Sequence, residues 1–264
     1  MDLELDGKAA IVTGGSKGIG KAIALELARE GVDVAICARG REALDETAHD
    51  LERETGRRIL PVVADTADRE SVERLVDTAV QILGKVDILV NNAALSGGLV
   101  VGPLDEASED DLLDDINTKV VGYLRCAKAV APHLERLGWG RIVNIGGLAA
   151  RQAGTISGLR NAALVHLTKT LSVQLGPSGT TVNLVHPGAT RTERTYPDLQ
   201  EQAKRQGATV DELERRMVAE TAIRRIPDAH DIAYLVAFLA SSRAGAVTGE
   251  VIAAGGGRGL AVFQ

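Results

Sequence analysis

The chain has 264 residues, 45% of them hydrophobic, with 36 acidic against 30 basic side chains and a formal net charge of −6. That length and apolar content can bury one sizeable core, so a single domain over 1–264 is expected. The acidic balance speaks against a nucleic-acid partner, which needs clustered Lys and Arg, and the polar start MDLELDGK against a signal peptide or membrane span, so the expected setting is cytoplasmic with no membrane partner.

Short runs rich in Val and Ile alternate with longer stretches of helical period, the pattern of repeated βαβ units around a parallel sheet. Strands are expected at 9–12, 32–37, 59–64, 86–90, 141–145, 181–185 and 250–253. Several are apolar throughout, which suits a sheet covered on both faces. The fold class is therefore α/β, a doubly wound parallel sheet of about seven strands with helices on both sides. In the first helix Ile19, Ile23 and Leu27 recur every four residues while Lys21, Arg29 and Glu30 point elsewhere, and Gly31 stops it. The stretch 187–211, with Pro197 and Gly207, reads as the one long irregular segment, and 187–222 as a lid over a site. Cys37 and Cys126 form no CxxC pair and join no His/Cys cluster, so neither a disulfide framework nor a metal site is expected.

Between the first strand and the first helix lies Thr13-Gly14-Gly15-Ser16-Lys17-Gly18-Ile19-Gly20. Glycines let the backbone approach a pyrophosphate, and the free N–H groups at a helix start attract its charge. Such a turn is also an ordinary tight turn. Its place after the first strand of a βαβ series, at the strand end where open α/β sheets bind ligands, makes it a candidate dinucleotide site.

With Thr13, Gly14, Gly18 and Gly20 matching TGxxxGxG, the chain resembles the short-chain dehydrogenase/reductase family, and the resemblance runs over about residues 5–257. Asp65 in VVADTAD resembles the family's adenine-contacting Asp, Asn91-Asn92-Ala93-Ala94 its NNAG segment, and Asn117 in DINTKVVG the Asn of its catalytic helix. IVNIGG, HPGATRT and VTGEVIAAGGG complete the series. The resemblance implies a Rossmann-type fold and a nicotinamide cofactor. The residues to hold it are Thr13, Gly14, Ser16, Lys17, Gly18, Ile19, Gly20, Arg39, Asp65, Asn91, Ala93, Pro187, Gly188 and Thr192, with Asp65 and Asn91 near the adenosine half and Thr192 near the carboxamide. It also implies a homodimer or homotetramer that pairs two long helices, about 109–137 and 157–175, through Tyr123, Leu124, Ala127, Leu164 and Leu171.

NAD-preferring relatives carry an acid at the end of the second strand to accept from the ribose hydroxyl. Here that place reads Cys37-Ala38-Arg39. Ala38 removes the anion that repels a 2′-phosphate, and Arg39 and Lys17 offer cations, so NADP(H) is favoured over NAD(H). Arg41 is an alternative to Arg39.

The family's Tyr-x-x-x-Lys pair precedes A-A-L-x-x-L-T, here Ala162-Ala163-Leu164 with Leu167-Thr168. Counting back sets Ser157 at the Tyr position and Asn161 at the Lys position. Gly146 and Gly147 stand where the family has its catalytic Ser, and only Asn117 remains of the four. A Ser hydroxyl is a far weaker acid than a phenol, and Asn brings no charge to lower its pKa. Ser157, Arg160 and Asn161 share a helix face aimed at the cofactor, where Arg160 can stabilise an alkoxide or grip a carboxylate. The candidate catalytic set is Asn117, Ser157, Arg160 and Asn161. His186 either supplies a proton near pH 7 or simply packs at its strand end. Three functions fit: an NADP(H)-dependent oxidoreductase acting on a carbonyl or alcohol small molecule, its proton carried by water on Ser157 and Asn117; a non-redox cyclase, isomerase or lyase; or an NADPH-binding regulatory protein.

Overall fold

Successive strand residues point to opposite faces, and this chain supplies apolar side chains for both. In the computed structural model, which describes residues 1–95, 104–153 and 155–259, the strands are β1 (Ala9–Thr13), β2 (Asp33–Ala38), β3 (Ile59–Val63), β4 (Ile88–Asn91), β5 (Gly140–Ile145), β6 (Thr180–Pro187) and β7 (Val251–Ala254). They form one all-parallel sheet in the order β3-β2-β1-β4-β5-β6-β7. The helices are α1 (Gly18–Arg29), α2 (Arg41–Thr55), α3 (Arg69–Leu83), α4 (Glu109–Ile116), α5 (Gly122–Leu137), α6 (Gly158–Leu175), α7 (Thr195–Gln206), α8 (Val210–Ala219) and α9 (Ala229–Ala240).

Ala10, Val12, Val34, Ile36 and Val90 pack with α1, α2 and α9 on one side. Their neighbours Ile11, Ala35, Leu89 and Ile142 pack with α3, α5 and α6 on the other. Each expected strand is present, its ends displaced by a few residues. The chain leaves β1 toward β2 and β3 on one side and toward β4 to β7 on the other, so the order reverses between β1 and β4 and a crevice opens at their carboxyl ends.

Three expectations are corrected. The stretch read as irregular is mostly helix, α7 and α8, with a small core of Leu199, Ala203 and Leu213. Pro197 sits in the first turn of α7, where its missing N–H has no intrahelical partner to lose. Gly207 ends that helix at φ 62°, and Thr209 with Glu212 forms a capping box that starts the next, so the residues read as breaks are helix punctuation. The segment 109–137 is interrupted by a π-helical turn, Asn117–Val121. The helix-pairing contacts also fall on the wrong face: Tyr123, Ala127, Leu164 and Leu171 are buried within the chain, and of the five only Leu124 is exposed, as are Val165 and Val173 on α6. Among the described residues no helix is long and apolar enough to cross a membrane.

Gly20 lies where α1 crosses under the turn that precedes it. A Cβ there would sit 2.2 Å from the Gly14 carbonyl oxygen and 2.5 Å from Asn92 Nδ2. The obstacle is backbone, so Gly20→Ala should lower the unfolding free energy by about 1–3 kcal/mol in ligand-free urea denaturation. An unchanged midpoint would show that the turn can shift.

Candidate cofactor and catalytic site

A cavity of about 650 Å³ opens at the carboxyl ends of β1 and β4. Gly14, Ser16, Lys17 and Gly18 of the turn line it, with Ala38 and Arg39 at the end of β2, Asp65 after β3, Ala93 after β4, and Thr192 after β6. Gly14 and Gly18 have φ of 65° and 58°, the left-handed region that suits glycine. No side chain of the N-cap residue Lys17 caps α1. Instead the N–H of Gly18 donates to Glu193 Oε1 at 2.7 Å, so a carboxylate from the loop after β6 already stands where the helix favours an anion.

The remaining residues expected to hold cofactor shape the cavity without lining it. Thr13 is buried, and its Oγ1 accepts from the N–H groups of Asn92 (2.9 Å) and Ala93 (3.1 Å). Ile19 packs against the core and Gly20 against the turn. Asn91 lies beneath the floor, its Nδ2 donating to Asn144 Oδ1 at 2.9 Å, and so joins β4 to β5 rather than reaching the adenosine side. Pro187 ends β6, and Gly188 packs against Gly255. Burial pushes the Cys37 thiol up to about 12, which leaves it unreactive at the cavity edge.

Ser157, Arg160 and Asn161 do come together at the start of α6, all buried, but not in the way expected. The Arg160 guanidinium is paired through Nη1 with the Asp115 carboxylate of α4, while its Nε has no hydrogen-bond partner among the described residues. Asn161 lies against Gly147, whose Cβ would come within 3.1 Å of its Nδ2. Asn117 is turned away: its Oδ1 accepts from Arg125 at 2.9 Å and its carbonyl from the same side chain at 3.3 Å. Of the two glycines, Gly146 has a steric reason, because a Cβ there would sit 2.3 Å from His186 Nδ1, whereas a Cβ on Gly147, where the family's Ser stands, would meet only the end of the Asn161 side chain. His186 Nδ1 accepts the Gly147 N–H at 2.9 Å. Burial, with Arg151 and Lys119 nearby, lowers the His186 pKa to about 4, so it is neutral at pH 7, in keeping with the packing alternative.

Asp115 and Lys119 went unnoticed in the sequence. Lys119 is buried, and its Nζ donates to the Gly146 carbonyl at 3.0 Å. A lone Lys in the apolar run Val120-Val121 with an acid four residues earlier was the available signal.

A parallel sheet with a glycine-rich turn opening into a cavity at its switch point defines a dinucleotide-binding α/β protein. Residues 14–258 match the family described as enoyl-(acyl carrier protein) reductase. The short-chain reductase protein NovJ of Streptomyces niveus is 35% identical over 251 residues, covering 94% of this chain and 93% of NovJ. The NADPH-dependent reductase BacG of Bacillus subtilis (strain 168) is 29% identical over 254 residues, covering 95% and 97%. The crystal structure of L-sorbose reductase from Gluconobacter frateurii, complexed with NADPH and L-sorbose, superposes with a TM-score of 0.92 at 29% identity, covering 98% of each chain. The chain belongs to the short-chain dehydrogenase/reductase family.

The Asp115–Arg160 pair yields a prediction about stability. Removing one partner leaves a buried charge uncompensated, so Arg160→Ala should cost about 3–5 kcal/mol of unfolding free energy, whereas the double change Asp115→Leu with Arg160→Met should recover most of it. Equal denaturation midpoints for wild type and Arg160→Ala would remove the pair from this structural role.

Proposed function

We propose that this protein is an NADP(H)-dependent oxidoreductase that interconverts a carbonyl and an alcohol on a small molecule. The observation that carries the reading is the lining of the cavity, where Ala38 takes the place of an acid and Lys17 and Arg39 are both present. A cavity lined by turn glycines at a helix start and by the cations Lys17, Arg39 and Arg194 fits a phosphorylated dinucleotide. When bound, NADPH supplies the hydride.

The chain's own residues do the positioning. Lys17 and Arg39 hold the 2′-phosphate, and the amides at the start of α1 hold the pyrophosphate once Glu193 gives up Gly18. Asp65 faces the adenosine half and Thr192 the carboxamide. The segment 187–222 serves as the lid, since α7 contributes Asp198 to the cavity wall and Arg191 pairs with Glu214 of α8. The proton path is non-standard, because Ser157 and Asn161 occupy the Tyr and Lys positions. A water held jointly by Ser157 and Asn117 loses its support here, with Asn117 bound to Arg125. The exposed Leu124, Val165 and Val173 on α5 and α6 favour pairing with a second copy, as a homodimer or homotetramer.

Fluorescence titration should show NADPH binding more tightly than NADH. Arg39→Ala should weaken NADPH at least about tenfold, or about 1.4 kcal/mol, while leaving NADH nearly unchanged. Equal affinities before and after the change would overturn the phosphate assignment. Absence of NADPH oxidation with diketone, ketose and β-ketoacyl thioester probes would point to a non-redox role.

A further inference from the structure

Beyond Thr118, which lines the cofactor cavity, the π-helical turn carries the next side chain inward. Such turns add one residue to the helical ring and recur at functional sites. Lys119 is thereby buried, with its Nζ on the carbonyl of Gly146, the first residue past β5. Gly147 follows and is bonded to His186 near the end of β6. The ammonium therefore stands at the carboxyl ends of two central strands, the side on which open α/β sheets receive their ligands. Around it, His186 Nε2 and Asn161 Oδ1 are buried and have no hydrogen-bond partner among the described residues, which marks the place as one completed by a polar ligand.

Among the described residues, the charged and titratable groups around Lys119 are few. Arg160 comes from α6 and Asp115 from α4, paired with each other; His186 comes from β6 and is itself influenced by Arg151, which follows β5. Tyr123 of α5 donates its hydroxyl to the Ile145 carbonyl at 2.9 Å, and burial pushes its pKa well above the usual phenol range. His186 is neutral, with Nδ1 engaged as an acceptor. Ser157 and Asn161 offer no proton that is acidic enough.

We propose, resting on the oxidoreductase reading above, that Lys119 is the acid–base group of the redox step. In carbonyl reduction the carbonyl carbon accepts a hydride, with its two electrons, from NADPH. The C=O π pair moves to oxygen, which forms an O–H bond as one N–H bond of the ammonium breaks. Lys119 is left as a neutral amine and is reprotonated from water; alcohol oxidation runs the same transfers in reverse. Burial, reinforced by Arg160 and opposed by Asp115, lowers the Lys119 pKa to about 7, so both protonation states are accessible near neutral pH. Reduction needs the ammonium and should slow as pH rises through that value, whereas oxidation needs the amine and should quicken.

A test that does not depend on turnover uses the full chain and titration calorimetry with NADP⁺ and NADPH at about pH 6 and about pH 8.5. An ammonium near the nicotinamide repels the cationic ring of NADP⁺ and spares the neutral ring of NADPH, while titration of the shared 2′-phosphate cancels in the ratio of their Kd values. In the wild type the ratio Kd(NADP⁺)/Kd(NADPH) should fall roughly threefold or more over that range, and in Lys119→Met it should not change. With diacetyl as the carbonyl probe, Lys119→Arg, which keeps the charge and a donor to Gly146 but releases no proton, should lose about 100-fold or more in kcat while keeping NADPH affinity. A flat wild-type ratio, or a Lys119→Arg enzyme with the wild-type rate and pH profile, overturns the assignment of Lys119 alone. If diacetyl is not turned over, the ratio decides. Failure to bind either nicotinamide overturns the oxidoreductase reading and this proposal with it.

Discussion

Asn92 holds the two halves of the sheet together at the point where the strand order reverses. Its Nδ2 donates to the carbonyls of Thr13 and Gly14, each at 3.0 Å, while Thr13 Oγ1 accepts the backbone N–H groups of Asn92 and Ala93. These bonds pull the end of β1 and the end of β4 into one rigid corner, and Gly20 lets α1 pass close beneath it. The cavity is the space left above that corner. Polar groups bonded to several partners in this way rigidify a site because any displacement breaks several bonds at once.

The second half of the site is governed by charge in a dry environment. Asp115 and Arg160 face each other between α4 and α6, and Lys119 stands close enough to be influenced by both. A buried cation is costly unless it is paired, and Asp115 is already committed to Arg160. The ammonium is therefore weakly compensated, which is why its proton is loosely held. His186 answers the same environment by staying neutral. Its ring also fills the space that a side chain at Gly146 would need, so the glycine there and the imidazole belong to one arrangement.

Much of the frame was legible in the chain. The seven apolar runs became seven strands because a parallel sheet buried on both faces demands unbroken hydrophobicity, and that demand is local. The turn from Thr13 to Gly20 was legible because left-handed backbone at Gly14 and Gly18 is a property of single residues. Pro197 and Gly207 misled because each residue type both breaks and bounds helices, and the choice depended on the cap at Thr209 and the small core around Leu199.

The catalytic face shows the limit more sharply. Helical spacing alone grouped Ser157, Arg160 and Asn161, and they are grouped. Spacing could not say that Asp115 would claim Arg160, that Arg125 would claim Asn117, or that a π-helical turn would swing Lys119 onto Gly146. By itself the sequence determined the sheet, the order of its elements and the phosphate-binding turn, since these depend on periodicity and on the backbone freedom of individual residues. The tertiary structure decided which polar side chains meet and which remain unpaired, because that depends on how α4, α5 and α6 dock. Docking brings into contact residues such as Asp115 and Arg160 whose separation along the chain carries no record of it.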